Sequence, residues 1–183
     1  FDDGRKDSYY PTDDIFKKLG FKAVLFEVTG KPNREDKFYL SWPELKNLQN
    51  SGRWEIEAHG RDSHDKIQIS ESGDMGRVLT SRMYIPGKGL ETINEFQHRV
   101  EQDYVDGVED LIDHLGIDSH YYAIPLNEYR SPTATNYPEA VEFNRRILEK
   151  YFKMAFIETD LTLDPRGLKP PVYNFVFDDP YKM

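Results

Sequence analysis

The chain has 183 residues, enough for one domain that buries about 70% of the surface its unfolded form exposes, and its 14% aromatic residues exclude a disordered chain. It contains no cysteine, which excludes thiolate metal sites, disulfide staples and cysteine nucleophiles and leaves the redox compartment open. With 24 Lys and Arg against 33 Asp and Glu the formal charge is −9, and without a basic tract to neutralise phosphates nucleic acid is not expected as a partner. No apolar run approaches the roughly 20 residues needed to span a bilayer, so no transmembrane segment is expected in this chain.

Phe1-Asp2-Asp3-Gly4 places turn chemistry directly after an apolar residue, as at the exit of a buried strand. The chain is therefore expected to start mid-fold. Residues 9–19 read as a helix, with Pro11 near its start, Ile15, Phe16 and Leu19 on one face and Gly20 as the stop signal. The nearly continuous apolar run 21–28 reads as a strand covered on both faces. Ser41-Trp42-Pro43-Glu44 is a capping box with proline in the first turn, and Trp42, Leu45 and Leu48 continue at helical spacing to Gly52. Trp54, Ile56 and Ala58 alternate with Glu55 and Glu57 as a short strand that delivers His59 at its carboxyl end.

Residues 60–90 are polar and read mostly as loop, with a strand candidate at Val78 to Ile85. A second capping box, Thr92 to Glu95, opens a long helix marked by Phe96, Val100, Tyr104, Val108, Leu111, Ile112 and Leu115 and closed by Gly116. A strand at 120–125, a turn-rich segment, a helix from Pro138 to about Tyr151 and a strand at 154–158 follow. The remainder reads as loop with a short strand at Val172 to Phe177. Strands separated by helices predict a parallel sheet with helices outside it, satisfied equally by an open doubly wound sheet or a barrel. In either, ligands bind beyond the carboxyl ends of the strands.

Asp2, Asp3, His59 and His64 fall at such ends. One carboxylate and two histidines make a three-ligand set that leaves positions for water and substrate, while the second aspartate stays free to accept a proton from a bound water. Each half has an ordinary reading: Asp-Asp-Gly is common turn chemistry, and histidines in polar loops are commonly solvated. His98 and His114, on the long helix, and His120, at a strand start, are assigned no chemistry. Tyr121, Tyr122, Tyr129 and Tyr137 suit either sugar stacking or burial, burial being the commoner use. No Gly-x-Gly-x-x-Gly, lysine-bearing phosphate loop or Gly-x-Ser-x-Gly elbow is present.

These residues resemble the NodB-homology polysaccharide deacetylases, carbohydrate esterase family four. Phe1-Asp2-Asp3-Gly4 matches the end of the first family motif. The run from Leu40 through Ala58-His59 to His64 resembles the branch acting on poly-N-acetylglucosamine, and Tyr121 to Asn127 stands at the third motif. The resemblance implies one α/β domain over 1–183, an irregular (β/α) barrel of about seven strands, incomplete at both ends. It implies Asp2 as catalytic base, Asp3, His59 and His64 as ligands of a divalent metal, zinc being the expected ion, and the backbone N–H of Leu126 as oxyanion donor. It further implies release of acetate from an N-acetylglucosamine polymer or other acetylated glycan, outside the cell or at the bacterial surface. It assigns no oligomeric state.

The sequence departs from the family at Gly60, usually Ser or Thr, at Ala123, often Arg, and at Leu126-Asn127, usually an aromatic-Gly pair. No histidine follows His120 to match the late family motif. These departures leave a second expectation open, a catalytically silent carbohydrate-binding or assembly domain on the same scaffold.

Overall fold

The computed structural model describes residues 1–127 and 135–157. In chain order the elements are α1 (Lys6–Leu19), β1 (Ala23–Glu27), a single helical turn α2 (Gly30–Asn33), α3 (Trp42–Asn50), β2 (Trp54–Ala58), β3 (Lys66–Gln68), β4 (Met75–Arg77), β5 (Tyr84–Ile85), β6 (Gly89–Leu90), α4 (Ile93–Leu115), β7 (Tyr121–Ile124), a 3₁₀ turn at Pro125–Asn127, α5 (Ala140–Tyr151) and β8 (Met154–Ile157).

The main sheet is parallel, in the order β1-β2-β7-β8. Its register aligns Glu27 with Ala58, Ala58 with Tyr122 and Ile124 with Ile157, so the strands end at one rim. On the outer side of β1, Asp2 forms a parallel bridge with Phe26, and the Phe26 N–H donates to the Phe1 carbonyl at 2.8 Å. Asp3 and His59 therefore leave the sheet at the same end. The α/β organisation with a parallel sheet agrees with the sequence. Among the described residues the sheet has four strands and stays open, short of a closed barrel of about seven.

Helices α3 and α4 start where the capping boxes place them: the Glu44 carboxylate accepts from the Ser41 N–H at 2.8 Å, and the Glu95 carboxylate accepts from the Thr92 N–H at 2.8 Å. Helix α4, about 35 Å long at 1.5 Å per residue, lays Phe96, Val100, Tyr104, Leu111 and Leu115 on the core with Leu45 and Leu48 of α3 and Ile147 and Leu148 of α5. Burying each of these apolar side chains contributes about 1.5–3 kcal/mol, and this ring of contacts holds the sheet ends in place.

Three elements differ from the sequence reading. Helix α1 begins at Lys6, a turn before the expected start, and carries Pro11 inside it. Its anchoring face is aromatic: Tyr9 and Phe16 pack on Trp54 while Ile15 and Leu19 stay exposed. Residues 60–90 hold two antiparallel hairpins, β3–β4 and β5–β6, whose two- and three-residue strands are too short for a two-residue alternation to register. Val78 and Leu79, expected in a strand, are instead buried core residues of a turn segment. The expected strand at Val172 to Phe177 and Tyr129 lie outside the described residues.

Candidate metal centre

Asp3 and Gly4 turn the chain away from β1 with positive φ of 69° and 70°. Asp tolerates this conformation better than most residues, and Gly4 is required for a second reason. A Cβ there would fall 1.9 Å from an Oε atom of Glu27, which fills the space beneath the turn. The Leu40 N–H donates to the Gly4 carbonyl at 2.8 Å and fixes the turn from its other side.

His59 extends the β1–β2 ladder by one bond, its N–H donating to the Glu27 carbonyl at 2.9 Å. Its ring is buried, 1% exposed, and Nδ1 lies 2.7 Å from the carbonyl oxygen of Ala123 on β7. The chain then folds back sharply through Gly60, at φ +83°, to bring His64 alongside. The Ser63 hydroxyl donates to the His59 carbonyl at 2.7 Å and sits 3.2 Å from His64 Nδ1.

These partners fix both tautomers. A carbonyl only accepts, so His59 Nδ1 carries the hydrogen that reaches Ala123. Ser63 has spent its own hydrogen on the His59 carbonyl, so it accepts from His64 Nδ1–H. In the neutral imidazoles both Nε2 lone pairs then face the same carboxylate: Asp3 Oδ1 lies 2.9 Å from His64 Nε2 and 3.5 Å from His59 Nε2. The rings are 4.7 Å apart, and the three ligand atoms lie within 4.8 Å of one another. Three acceptors converging without a donor among them require a cation or protons between them. When protons rather than a cation fill that space, the Nε2–H groups of His59 and then His64 hydrogen-bond to Asp3 and hold its carboxyl well below its ordinary range, against the opposing effect of partial burial. Two imidazole nitrogens and one carboxylate oxygen are a ligand set that suits zinc with open positions for water and substrate, so the residues present fit the ion the sequence implies.

Asp2, half-buried, stands beside Asp3 at the rim. Leu126 lies two residues beyond β7, 37% exposed, with φ 57° and ψ 23°, a left-handed conformation uncommon for a branched side chain. Its strand is the one whose Ala123 carbonyl orients His59. Of the remaining histidines, His114 stacks on Trp42 with ring centres 4.1 Å apart, and neither it nor His98 or His120 joins the cluster. Tyr122 is fully buried and Tyr137 packs edge-on against Phe96, so neither serves as an exposed sugar platform.

Sequence reasoning missed three supporting residues. Ser63 went unnoticed between the histidines. Glu27 is fully buried with both carboxylate oxygens unpartnered among the described residues, and burial followed by the nearby Asp3 charge pushes its carboxyl well above the ordinary value. A lone acid within the apolar run 23–28 was its available signal. Asp103 accepts from the backbone N–H groups of Arg61 at 3.2 Å and Asp62 at 2.7 Å, from a core-facing position of α4. Behind the loop, a cavity of about 530 Å³ is lined by Arg34, Arg61, Lys66, Arg99 and Asp103 and by none of the three clustered ligands.

The sequence matches the polysaccharide deacetylase family over residues 1–140. The chain belongs to that family. The resemblance read from Asp2-Asp3-Gly4, His59 and His64 is thus borne out. Among solved structures, the chain is similar to the BpsB deacetylase domain from Bordetella bronchiseptica, at 18% identity and a TM-score of 0.69 over 93% of this chain and 63% of that one. It is similar to a de-N-acetylase from Aggregatibacter actinomycetemcomitans, at 17% identity and a TM-score of 0.68 over 85% and 60%. It is also similar to IcaB from Ammonifex degensii, at 23% identity and a TM-score of 0.56 over 85% and 57%. At these identities the likeness is one of fold, and the chain spans about three fifths of the length of those structures. No curated protein matches it.

Proposed function

We propose that this chain carries a metal-dependent N-deacetylase centre that removes acetyl groups from an N-acetylglucosamine-containing polysaccharide. The observation that carries the proposal is the convergence of Asp3 Oδ1, His59 Nε2 and His64 Nε2, each fixed as an acceptor, on one point. These three side chains would hold the divalent ion, zinc on the strength of its ligand set. When bound, such an ion supplies a Lewis acid for the amide oxygen and makes a coordinated water acidic near neutral pH.

The chain's own groups then have definite tasks. Asp2, next to a ligand but outside the cluster, accepts a proton from the attacking water. The Leu126 N–H donates to the oxyanion that forms as the carbonyl carbon becomes tetrahedral. The C–N bond breaks to give acetate and a glucosamine amine, and the proton held by Asp2 is available to that amine. On this reading the open four-stranded sheet is part of the irregular (β/α) barrel implied by the family resemblance. The polymer would be met outside the cell or at the bacterial surface; no helix among the described residues is long and apolar enough to cross a membrane.

The test is acetate release from a poly-N-acetylglucosamine oligomer by the zinc-loaded chain. Wild type releases acetate, and Asp2→Asn loses release while retaining zinc. Full release by Asp2→Asn overturns the base assignment; glycan binding without any acetate from wild type overturns the enzyme reading in favour of a silent binding domain.

A further inference from the structure

We propose that Asp103 is a positioning residue that sets the span between the two ligand imidazoles by clamping the backbone of the loop joining them. The proposal rests on the metal-centre reading above. Only four residues separate His59 from His64, and each is tied down. The Gly60 carbonyl accepts from the Thr29 N–H and the Arg61 carbonyl from the Gly30 N–H, both at 3.1 Å. The Asp62 carbonyl accepts from the Asp65 N–H at 2.8 Å, and Ser63 bonds back to His59. The two central N–H groups, of Arg61 and Asp62, point the other way and end on the two oxygens of Asp103.

The approach that makes this contact is built by glycines. A Cβ on Gly107, one turn along α4 from Asp103, would lie 3.2 Å from the Gly60 carbonyl carbon and 3.3 Å from the Arg61 nitrogen. A Cβ on Gly60 would lie 2.9 Å from Asp103 Oδ2. Helix and loop thus meet backbone to backbone at the level of the carboxylate.

Asp103 shares its helix face with Phe96, Val100, Tyr104 and Leu111, where an apolar side chain would serve packing better. Burial pushes its carboxyl up to about 6, so keeping it ionised at neutral pH opposes folding. Two adjacent N–H donors need two acceptors, and a carboxylate is the side chain that offers them from one position. Asparagine offers one oxygen and turns an N–H₂ toward the other donor. Replacing Asp103 by Asn therefore removes a buried charge while releasing half of the clamp, which separates a positioning role from a packing role.

The experiment is zinc titration of the full chain by calorimetry, with thermal unfolding of the metal-free protein and the visible spectrum of the cobalt-loaded protein. Asp103→Asn is expected to bind zinc about 10- to 100-fold more weakly, the usual loss on removing a supporting contact behind a ligand. Its cobalt spectrum should change, and its metal-free Tm at neutral pH should stay at or above that of wild type. Asp106→Asn, on the same helix and paired with the Arg61 guanidinium rather than the loop backbone, should keep its zinc affinity within about twofold. Should Asp103→Asn fail to fold, Asp103→Glu keeps the charge and displaces the acceptors by one methylene, with the same loss expected. Wild-type zinc affinity and cobalt spectrum in the folded Asp103 variant overturn the proposal while leaving the metal centre standing; no zinc binding by wild type removes both.

Discussion

The Nδ1–H of His59 donates to the Ala123 carbonyl at 2.7 Å, from the end of β2 across to β7, and this bond decides which ring nitrogen faces Asp3. The acceptor is the backbone carbonyl of position 123, which is present whatever residue stands there. The departure from the family at Ala123 therefore leaves the orientation of His59 intact.

Removing a ligand should abolish tight metal binding. Asp3→Ala and His64→Ala each leave two of three donors, and their zinc affinity should fall about 100-fold or more by equilibrium dialysis. The rise in wild-type Tm on adding zinc, expected because the ion binds only the folded arrangement, should vanish in both.

The turn glycines should be intolerant of a methyl group. In Gly60→Ala the new Cβ meets Ser63 Oγ at 2.6 Å and Asp103 Oδ2 at 2.9 Å, from a backbone with φ +83°. A loss of about 2 kcal/mol is expected from the strained backbone and the displaced loop, measured by urea unfolding, with zinc affinity falling alongside. Gly52→Ala, also at positive φ but with no atom within 4 Å of its Cβ, should cost only the backbone strain, about 1 kcal/mol.

Glu27 should be a net destabiliser. Its unpartnered buried carboxyl stays protonated in the fold above the ordinary glutamate value of 4.5, so the folded state binds the extra proton and stability falls as pH rises past that value. Glu27→Leu, similar in bulk and without polar atoms, should raise metal-free stability at pH 7 by about 1–3 kcal/mol, the cost of an unsatisfied buried polar group. Lower stability in the leucine variant would contradict this reading of the site beneath Gly4.

Asp103 gives a second pH signature. With its folded value raised from 3.8 to about 6 by burial, and by the charges of Asp62 on the loop and Asp106 on α4, stability is fully present below about 3.8 and is lost as pH rises through 6. The loss amounts to about 3 kcal/mol at 1.36 kcal/mol per pH unit. Tyr122, on the facing strand, has its own titration pushed far up by burial and stays neutral throughout. The stability profile of Asp103→Asn between pH 4 and 7 should be flatter by that amount.

The parts of the fold legible in the sequence were those with a local chemical cause. Ser41 with Glu44 and Thr92 with Glu95 fixed two helix starts, and the apolar face from Phe96 to Leu115 is the one that α4 buries, except that Ile112, expected on that face, is exposed and Val108 is only partly buried. The hairpins of 60–90 were not legible because strands of two or three residues carry no periodic signal. Pro11 near the start of a helix points to a first turn, yet in α1 it lies inside the helix, which the aromatic contacts of Tyr9 and Phe16 with Trp54 hold through it. Asp3, His59 and His64 could be named from their types and from strand ends. That they meet depends on β1 and β2 lying side by side, a long-range pairing, and on the Asp103 contact from 41 and 42 residues away, which no local window contains.

A zinc-soaked crystal measured at the zinc absorption edge shows whether Asp3, His59 and His64 converge on a single cation. An anomalous peak about 2.0–2.2 Å from Asp3 Oδ1, His59 Nε2 and His64 Nε2 is the expected result. No peak among these three atoms at saturating zinc, or a peak that leaves either imidazole out, contradicts it.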